Sequence, residues 1–228
     1  MAHPIWPLFD LRIRTPRLEV HYADDELCTE LALLAARGIH DPEFMPFAMP
    51  WSDVASPELE RNALQFQWRC RAETTPNHWS VNFATIVDGH VIGTTSLGGD
   101  NFPILRQFET GSWLGREFQG KGFGKEMRIA SLQLGFAGFF AEFATTGAYA
   151  DNGPSLGVTN SIGYVEAGRR RVVRRASPAE MIGFQMSRDH WQRHVRRDDI
   201  ELFGVEAARE LLGITEPDSS ASNSPAGQ

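Results

Sequence analysis

The stretch Gln119–Glu126, QGKGFGKE, puts glycine at positions 120, 122 and 124, between an alternating apolar segment and a proline-free segment with helical periodicity. No other feature constrains the fold as much. It requires a strand that ends where a helix begins, with close-approaching backbone and free amides gathered at the helix N-terminus, an arrangement suited to an anion. Spacing separates the anion-binding patterns. A P-loop needs glycine at position 119 and a hydroxyl at 126, where this chain has Gln119 and Glu126. A dinucleotide fingerprint needs its third glycine at 125, which is Lys125, and a parallel strand–helix–strand unit that the upstream segment does not open.

The flanking sequence supplies the rest of an α/β layout. Leu18, Val20 and Tyr22 alternate in a first strand, and a helix follows with Leu27, Leu31 and Leu34 at helical spacing and Gly38 as its stop. Residues 39–55 hold prolines among Phe, Met and Trp and form neither a regular helix nor a central strand. They are either a loop packed on the core or an apolar lid over a ligand. Ser56 and Pro57 signal the N-cap and first turn of a helix to about residue 70. Trp79 to Val87 alternate, Asp88-Gly89 marks a tight hairpin, and a further strand at 107–115 runs into the glycine turn. Phe123, Met127, Ala130, Leu134 and Ala137 then trace one helix face. After it come a strand at 142–150, a short helix ending near Gly163, and closing strands Tyr164–Val173 and Met181–Met186. No internal repeat is visible.

Charge and cysteine usage exclude several classes. A net charge of −7 argues against a general nucleic-acid binder, whose affinity comes from neutralising phosphates. No apolar run is long enough for a membrane span and no signal layout opens the chain, so a cytoplasmic protein is expected. Cys28 and Cys70 both fall in helical segments, suggesting packed thiols rather than a disulfide or a cysteine zinc site. His190 and His194 have the spacing of a helical metal pair but lack a marked third ligand; a surface helix is expected, and no metal. The run GRRRVVRR at 168–175 reads as a solvated strand face; contact with an acidic partner or an adenosine 3′-phosphate is the alternative.

One pattern fits the turn: Gln-x-x-Gly-x-Gly at Gln119, Gly122 and Gly124, with Leu114 five residues upstream at the strand end. Downstream, Asn152, Ser155, Gly163 and Tyr164 match an Asn-x-x-Ser helix that ends in Gly-Tyr. In these motifs the chain resembles the GNAT superfamily of N-acetyltransferases over about residues 17–191. FETGSWL and Ser155 resemble the branch that acetylates ribosomal-protein N-terminal Ala or Ser. The resemblance implies a mixed, mostly antiparallel twisted sheet flanked by helices, with a splayed strand pair, an α/β fold of the GNAT type. It also implies acetyl-CoA as cosubstrate, held by Trp113, Leu114, Gln119, Gly120, Lys121, Gly122, Phe123, Gly124, Lys125, Asn152 and Ser155. Homodimers are common in the superfamily.

By the same resemblance, a primary amine attacks the thioester directly, the Leu114 amide receives the oxyanion, and Ser155 donates a hydrogen bond to the departing sulfur. The family's usual tyrosine, seven residues after the Asn, is here Thr159; Tyr149 is the alternative acid. Glu109 is the candidate base, because alternation places it on the strand that carries Leu114 and partial desolvation there would raise its pKa; a surface or salt-bridged residue is the other reading. His40 and Glu43 in the 39–55 loop are rival bases. Ser155 and Asn152 also have purely local readings as residues of the first helical turn and its cap. The expected acceptor is a protein N-terminal amine; a polyamine, amino acid or aminoglycoside is the alternative, and so is a non-catalytic acyl-CoA-binding module. Residues 1–16 read as an extension, 17–191 as the acetyltransferase domain, 192–213 as a helical appendage and 214–228 as a polar tail without core residues, expected to be disordered.

Overall fold

The computed structural model describes residues 3–217. Its strands are β1 (Arg12–Arg14), β2 (Glu19–Tyr22), β3 (His78–Val87), β4 (His90–Asp100), β5 (Gln107–Leu114), β6 (Phe143–Tyr149), β7 (Val165–Arg174), β8 (Ser177–Ser187) and β9 (Glu201–Phe203). They form one sheet in the order β7-β8-β6-β5-β4-β3-β2-β1-β9. Every neighbouring pair is antiparallel except β5 and β6.

The helices are α1 (Asp25–Ala36), α2 (Glu58–Ala72), α3 (Phe102–Leu105), α4 (Phe123–Gln133), α5 (Gly153–Ile162), α6 (Arg188–His194) and α7 (Val205–Leu212). Asp24 caps α1 by accepting from the Leu27 amide, and α5 ends at left-handed Gly163. On one face of the sheet, Val81, Phe83, Leu97, Phe108 and Leu114 pack with Met127, Ala130 and Leu134 in the main core. On the other, Ala84 and Val91 pack with Cys28, Leu31 and Leu34.

The expected elements are present, with differences that have physical causes. The helix predicted to start with Ser56 as its cap begins at Glu58, after a cis Ser56-Pro57 bond, and Pro57 offers no capping side chain. The helix through Ala137 changes at Leu134 into a π-helical turn, Leu134–Gly138. A Cβ on Gly135 would lie 2.1 Å from the Phe108 ring, so the widened turn brings helix backbone onto an aromatic side chain. The strand expected from Met181, β8, opens at Ser177, because left-handed Arg175 makes the hairpin tight. Both segments set outside 17–191 enter the sheet: Ile13 pairs with Val20 on one side and with Leu202 on the other. Such short strands with charged alternate residues leave little hydrophobic pattern to read. Ile214, expected to open the polar tail, is buried in the main core, and residues 218–228 lie outside the described range.

Candidate active site

The parallel ladder between β5 and β6 stops after Glu109↔Thr145, whereas β5 stays paired with β4 through Leu114. Past that point β6 leaves β5 and a splay opens. The Gly115 amide donates to Ile92 O on β4, so the alternation of an antiparallel ladder turns the amides of Leu114 and Ser112 the other way, into the splay. At the closed end the gap is spanned by side chains, with Thr146 Oγ1 donating to Thr110 O at 3.0 Å and Thr110 Oγ1 to Thr145 O at 3.3 Å.

The glycine turn lies just beyond the open end. Gly120 and Gly122 have φ of +74° and +83°, the left-handed region that side chains disfavour. Gly122 is the N-cap of α4 and carries no side-chain cap. Glu126 N finds Gly122 O, so the amides of Phe123, Gly124 and Lys125 are the orphan donors of the first turn. Around Gly120 nothing lies within 4 Å of where a Cβ would stand, and at Gly124 a Cβ would only touch Leu114 and Val158. The protein alone therefore leaves a bare cradle of donors, and these residues fit the pyrophosphate and pantetheine of a CoA ester.

Gln119 does not reach outward: its Nε2 donates to Ile39 O at 2.8 Å and Leu114 O at 2.9 Å, fixing the turn to the end of β5 and to the start of the 39–55 loop. Lys121 stands exposed over the Phe118 ring, and Lys125 donates to Ser161 O at the end of α5. A support that the sequence reading did not find holds the turn from behind. Glu126, buried, accepts from Thr15 Oγ1 and Arg17 Nε, both at 2.6 Å, while Arg17 NH1 donates to Lys121 O at 3.3 Å and the guanidinium covers the Phe123 ring. The signal was the acidic residue itself, placed where an anion-binding helix start would repel an anion unless a cation neutralised it.

Along β5, Phe108, Thr110 and Leu114 face α4, and Glu109, Gly111 and Trp113 face the opposite side. There the Trp113 ring is 6.0 Å from Trp51, itself 5.3 Å from Phe47, in the 39–55 loop. Glu109 is exposed rather than desolvated, and it lies on the Trp113 face at the closed end of the splay. Asn152 Oδ1 accepts from Ser155 N at 3.2 Å, a helix cap, which leaves the amide nitrogen for a ligand. Ser155 is half-buried in the first turn of α5, and Thr159 is fully buried. Tyr149 is buried at the end of β6, its hydroxyl 3.5 Å from Phe47 O.

His40 is held inside the loop between Ser52 Oγ, at 2.7 Å, and Asp41 O, while Glu43 is exposed. The His190 and His194 rings lie 4.8 Å apart at a tilt on the short α6, and among the described residues no three His, Cys, Asp or Glu side chains are grouped to hold a metal ion. Burial pushes the Cys28 thiol up to about 11, so it is a poor nucleophile. No helix among the described residues is long and apolar enough to cross a membrane.

The arginine run read as a solvated face ends in a clasp. Arg175 donates to both Asp53 oxygens, at 2.7 and 2.6 Å, and to Pro42 O, while Arg174 binds Asp151 and covers the Tyr149 and Phe44 rings. The tip of the β7–β8 hairpin thus fastens the 39–55 loop over the Trp113 face. The Arg175 hydrogen bond holds the Asp53 carboxyl below its ordinary value. A depressed folded-state pKa gives stability that is complete above the ordinary value of about 4 and is lost as pH falls through the lower folded value. The clasp should therefore hold across the neutral range. Arg175→Ala should raise the KM for the acceptor several-fold and leave CoA affinity unchanged, as read by steady-state kinetics beside calorimetry.

The sequence matches the family described as "Acetyltransferase (GNAT) domain" over residues 13–165. Among solved structures, RimJ of Mycobacterium smegmatis in complex with CoA-disulfide aligns with a TM-score of 0.64 at 17% identity, over 82% of this chain and 90% of that one. The ribosomal-protein-S5-alanine acetyltransferase of Vibrio fischeri gives 0.63 at 16%, over 80% and 99%. RimL, a ribosomal L7/L12 alpha-N-protein acetyltransferase in complex with coenzyme A, gives 0.62 at 14%, over 77% and 97%. At these identities the likeness is one of fold.

Proposed function

Since the chain belongs to the GNAT acetyltransferase family and is an N-acetyltransferase, we propose that its acceptor is the N-terminal amine of a protein, acetylated by direct attack on acetyl-CoA. The carrying observation is the splay itself: the Ser112 and Leu114 amides, free of ladder partners, lead from the orphan amides of the α4 N-terminus toward Glu109 on the exposed face. The glycine turn would hold the pyrophosphate, and the β5 amides would receive the pantetheine and the thioester oxygen. The amine nitrogen forms its bond to the carbonyl carbon, and its proton passes to Glu109 directly or through water. The carbon–sulfur bond then breaks, and the CoA thiolate leaves beside Ser155, whose hydroxyl donates to the sulfur. Orientation in the ternary complex supplies much of the rate gain.

The protein acceptor draws support from what the neighbouring RimL and Vibrio structures are named for. A second reading, a small amine, is favoured by the loop: Phe47 and Trp51 close on Trp113 and so cover part of the β5 face that also carries Glu109. Thiol release from acetyl-CoA, measured against peptide N-termini, polyamines, amino acids and aminoglycosides, separates the two. Turnover confined to peptides supports the protein acceptor, and turnover confined to small amines overturns it. CoA binding without turnover of any amine would identify a binding module instead.

A further inference from the structure

Arg128 lies on the sheet-facing side of α4 and is 5% exposed. Its two terminal nitrogens donate across the splay, one to Thr146 Oγ1 on β6 at 3.1 Å and the other to Ser112 Oγ on β5 at 3.0 Å. Its Nε is buried without a partner, and among the described residues no carboxylate pairs with the guanidinium. The other buried charged side chain among the described residues is answered: Glu126 has Arg17. A guanidinium cannot shed its proton, so burial without an anion leaves its desolvation uncompensated.

The surroundings of Arg128 are also polar. Thr110, Thr146, Ser112 and Tyr164 bring hydroxyls to the closed end of the splay, and Tyr164 Oη lies 3.3 Å from Thr110 Oγ1. An acetyl methyl group would gain nothing from such a lining, which suits an acceptor-rich group carrying a full negative charge. CoA's own phosphates belong at the other end, on the glycine turn. With pantetheine along the Leu114 and Ser112 amides, the thioester would stand near Ser112, and an acyl chain continuing past it would run toward Arg128.

We infer that the site accepts, beside acetyl, short acyl groups ending in a carboxylate, with Arg128 as the counter-ion of that carboxylate. The inference rests on the proposed placement of CoA in the splay. The transfer has the same balance as acetyl transfer: the amide bond forms, the thioester bond breaks, CoA leaves as the thiolate, and the terminal carboxylate stays ionised throughout.

Succinyl-CoA and butyryl-CoA are matched in chain length and differ in the terminal charge, so the unaltered protein gives a first test by calorimetry and competition. The expected result is at least tenfold tighter binding of succinyl-CoA, and Arg128→Met should collapse that ratio to near one while Arg128→Lys restores part of it. Equal affinities, tighter butyryl-CoA, or a preference that survives in Arg128→Met would overturn the inference with CoA binding intact. Failure of every CoA ester to bind would overturn it together with the placement of CoA in the splay.

Discussion

Gly122→Glu should abolish measurable acetyl-CoA binding, with at least a hundredfold loss of affinity by calorimetry and a matching loss of thiol release. Two effects act together. Gly122 has φ of +83° and is the N-cap of α4, so any side chain is forced into a left-handed conformation that costs about 1–2 kcal/mol. The Cβ would also stand 3.4 Å from Arg17 NH2, directing a carboxylate to the guanidinium that holds Lys121 O and Glu126. The new charge would sit at the helix start proposed to hold the pyrophosphate, and its repulsion would add to the strain. The fold should survive, because Gly122 is at the surface and no core contact depends on it. A variant with an unchanged melting temperature and unchanged CoA affinity would remove the glycine turn from the account of the site.

Gly135→Val should give the largest loss of stability. The π-helical turn sets the Gly135 backbone against Phe108, where a Cβ would lie 2.1 to 2.6 Å from three ring atoms. Phe108 has little freedom to retreat, since it is fully buried and its ring packs edge-on against Phe136, which stacks on Trp191. Overpacking of this kind costs about 3 kcal/mol, or a fall in melting temperature of about 6–12 °C for a chain of this size. Phe108 directly precedes Glu109, the last residue of β5 to pair with β6, so the variant should also weaken CoA binding at temperatures where it remains folded. Gly153→Ala, where no atom lies within 4 Å of the new Cβ, is the control and should change stability little.

What could be read from the sequence was whatever is local. The Asp88-Gly89 hairpin, the helix faces and the strand–turn–helix around QGKGFGKE are each specified within a few residues, by turn chemistry and periodicity, and the structure has all of them. Pairings between distant segments left no such trace. Arg17 and Glu126 are far apart in the chain, and neither position announces the other. Arg128 lies within an amphipathic helix where the sequence reading marked only the apolar face; only the packing of α4 across the splay shows that its charge is buried. Arg174 and Arg175 read as members of a basic run because their partners, Asp151 and Asp53, lie in other loops. Glu109 shows the converse. Its strand followed from alternation, but its exposure depends on where β6 turns away, which no spacing reveals.

The position of β1 between β2 and β9 sets an order on the chain's completion during synthesis. Thr15 and Arg17, which brace Glu126 at the glycine turn, lie directly beside β1 and leave the ribosome long before residue 201 does. The strand that covers the outer edge of β1, Glu201–Phe203, emerges after the eight other strands of the sheet. Until it does, the nascent protein presents an unpaired β1 edge, the kind of edge that recruits foreign strands. A stalled or shortened product ending before residue 201 should therefore self-associate even if its glycine turn and splay are already assembled, and aggregation of nascent chains becomes a readout of β9 docking, separate from any assay of the acetyl-transfer site.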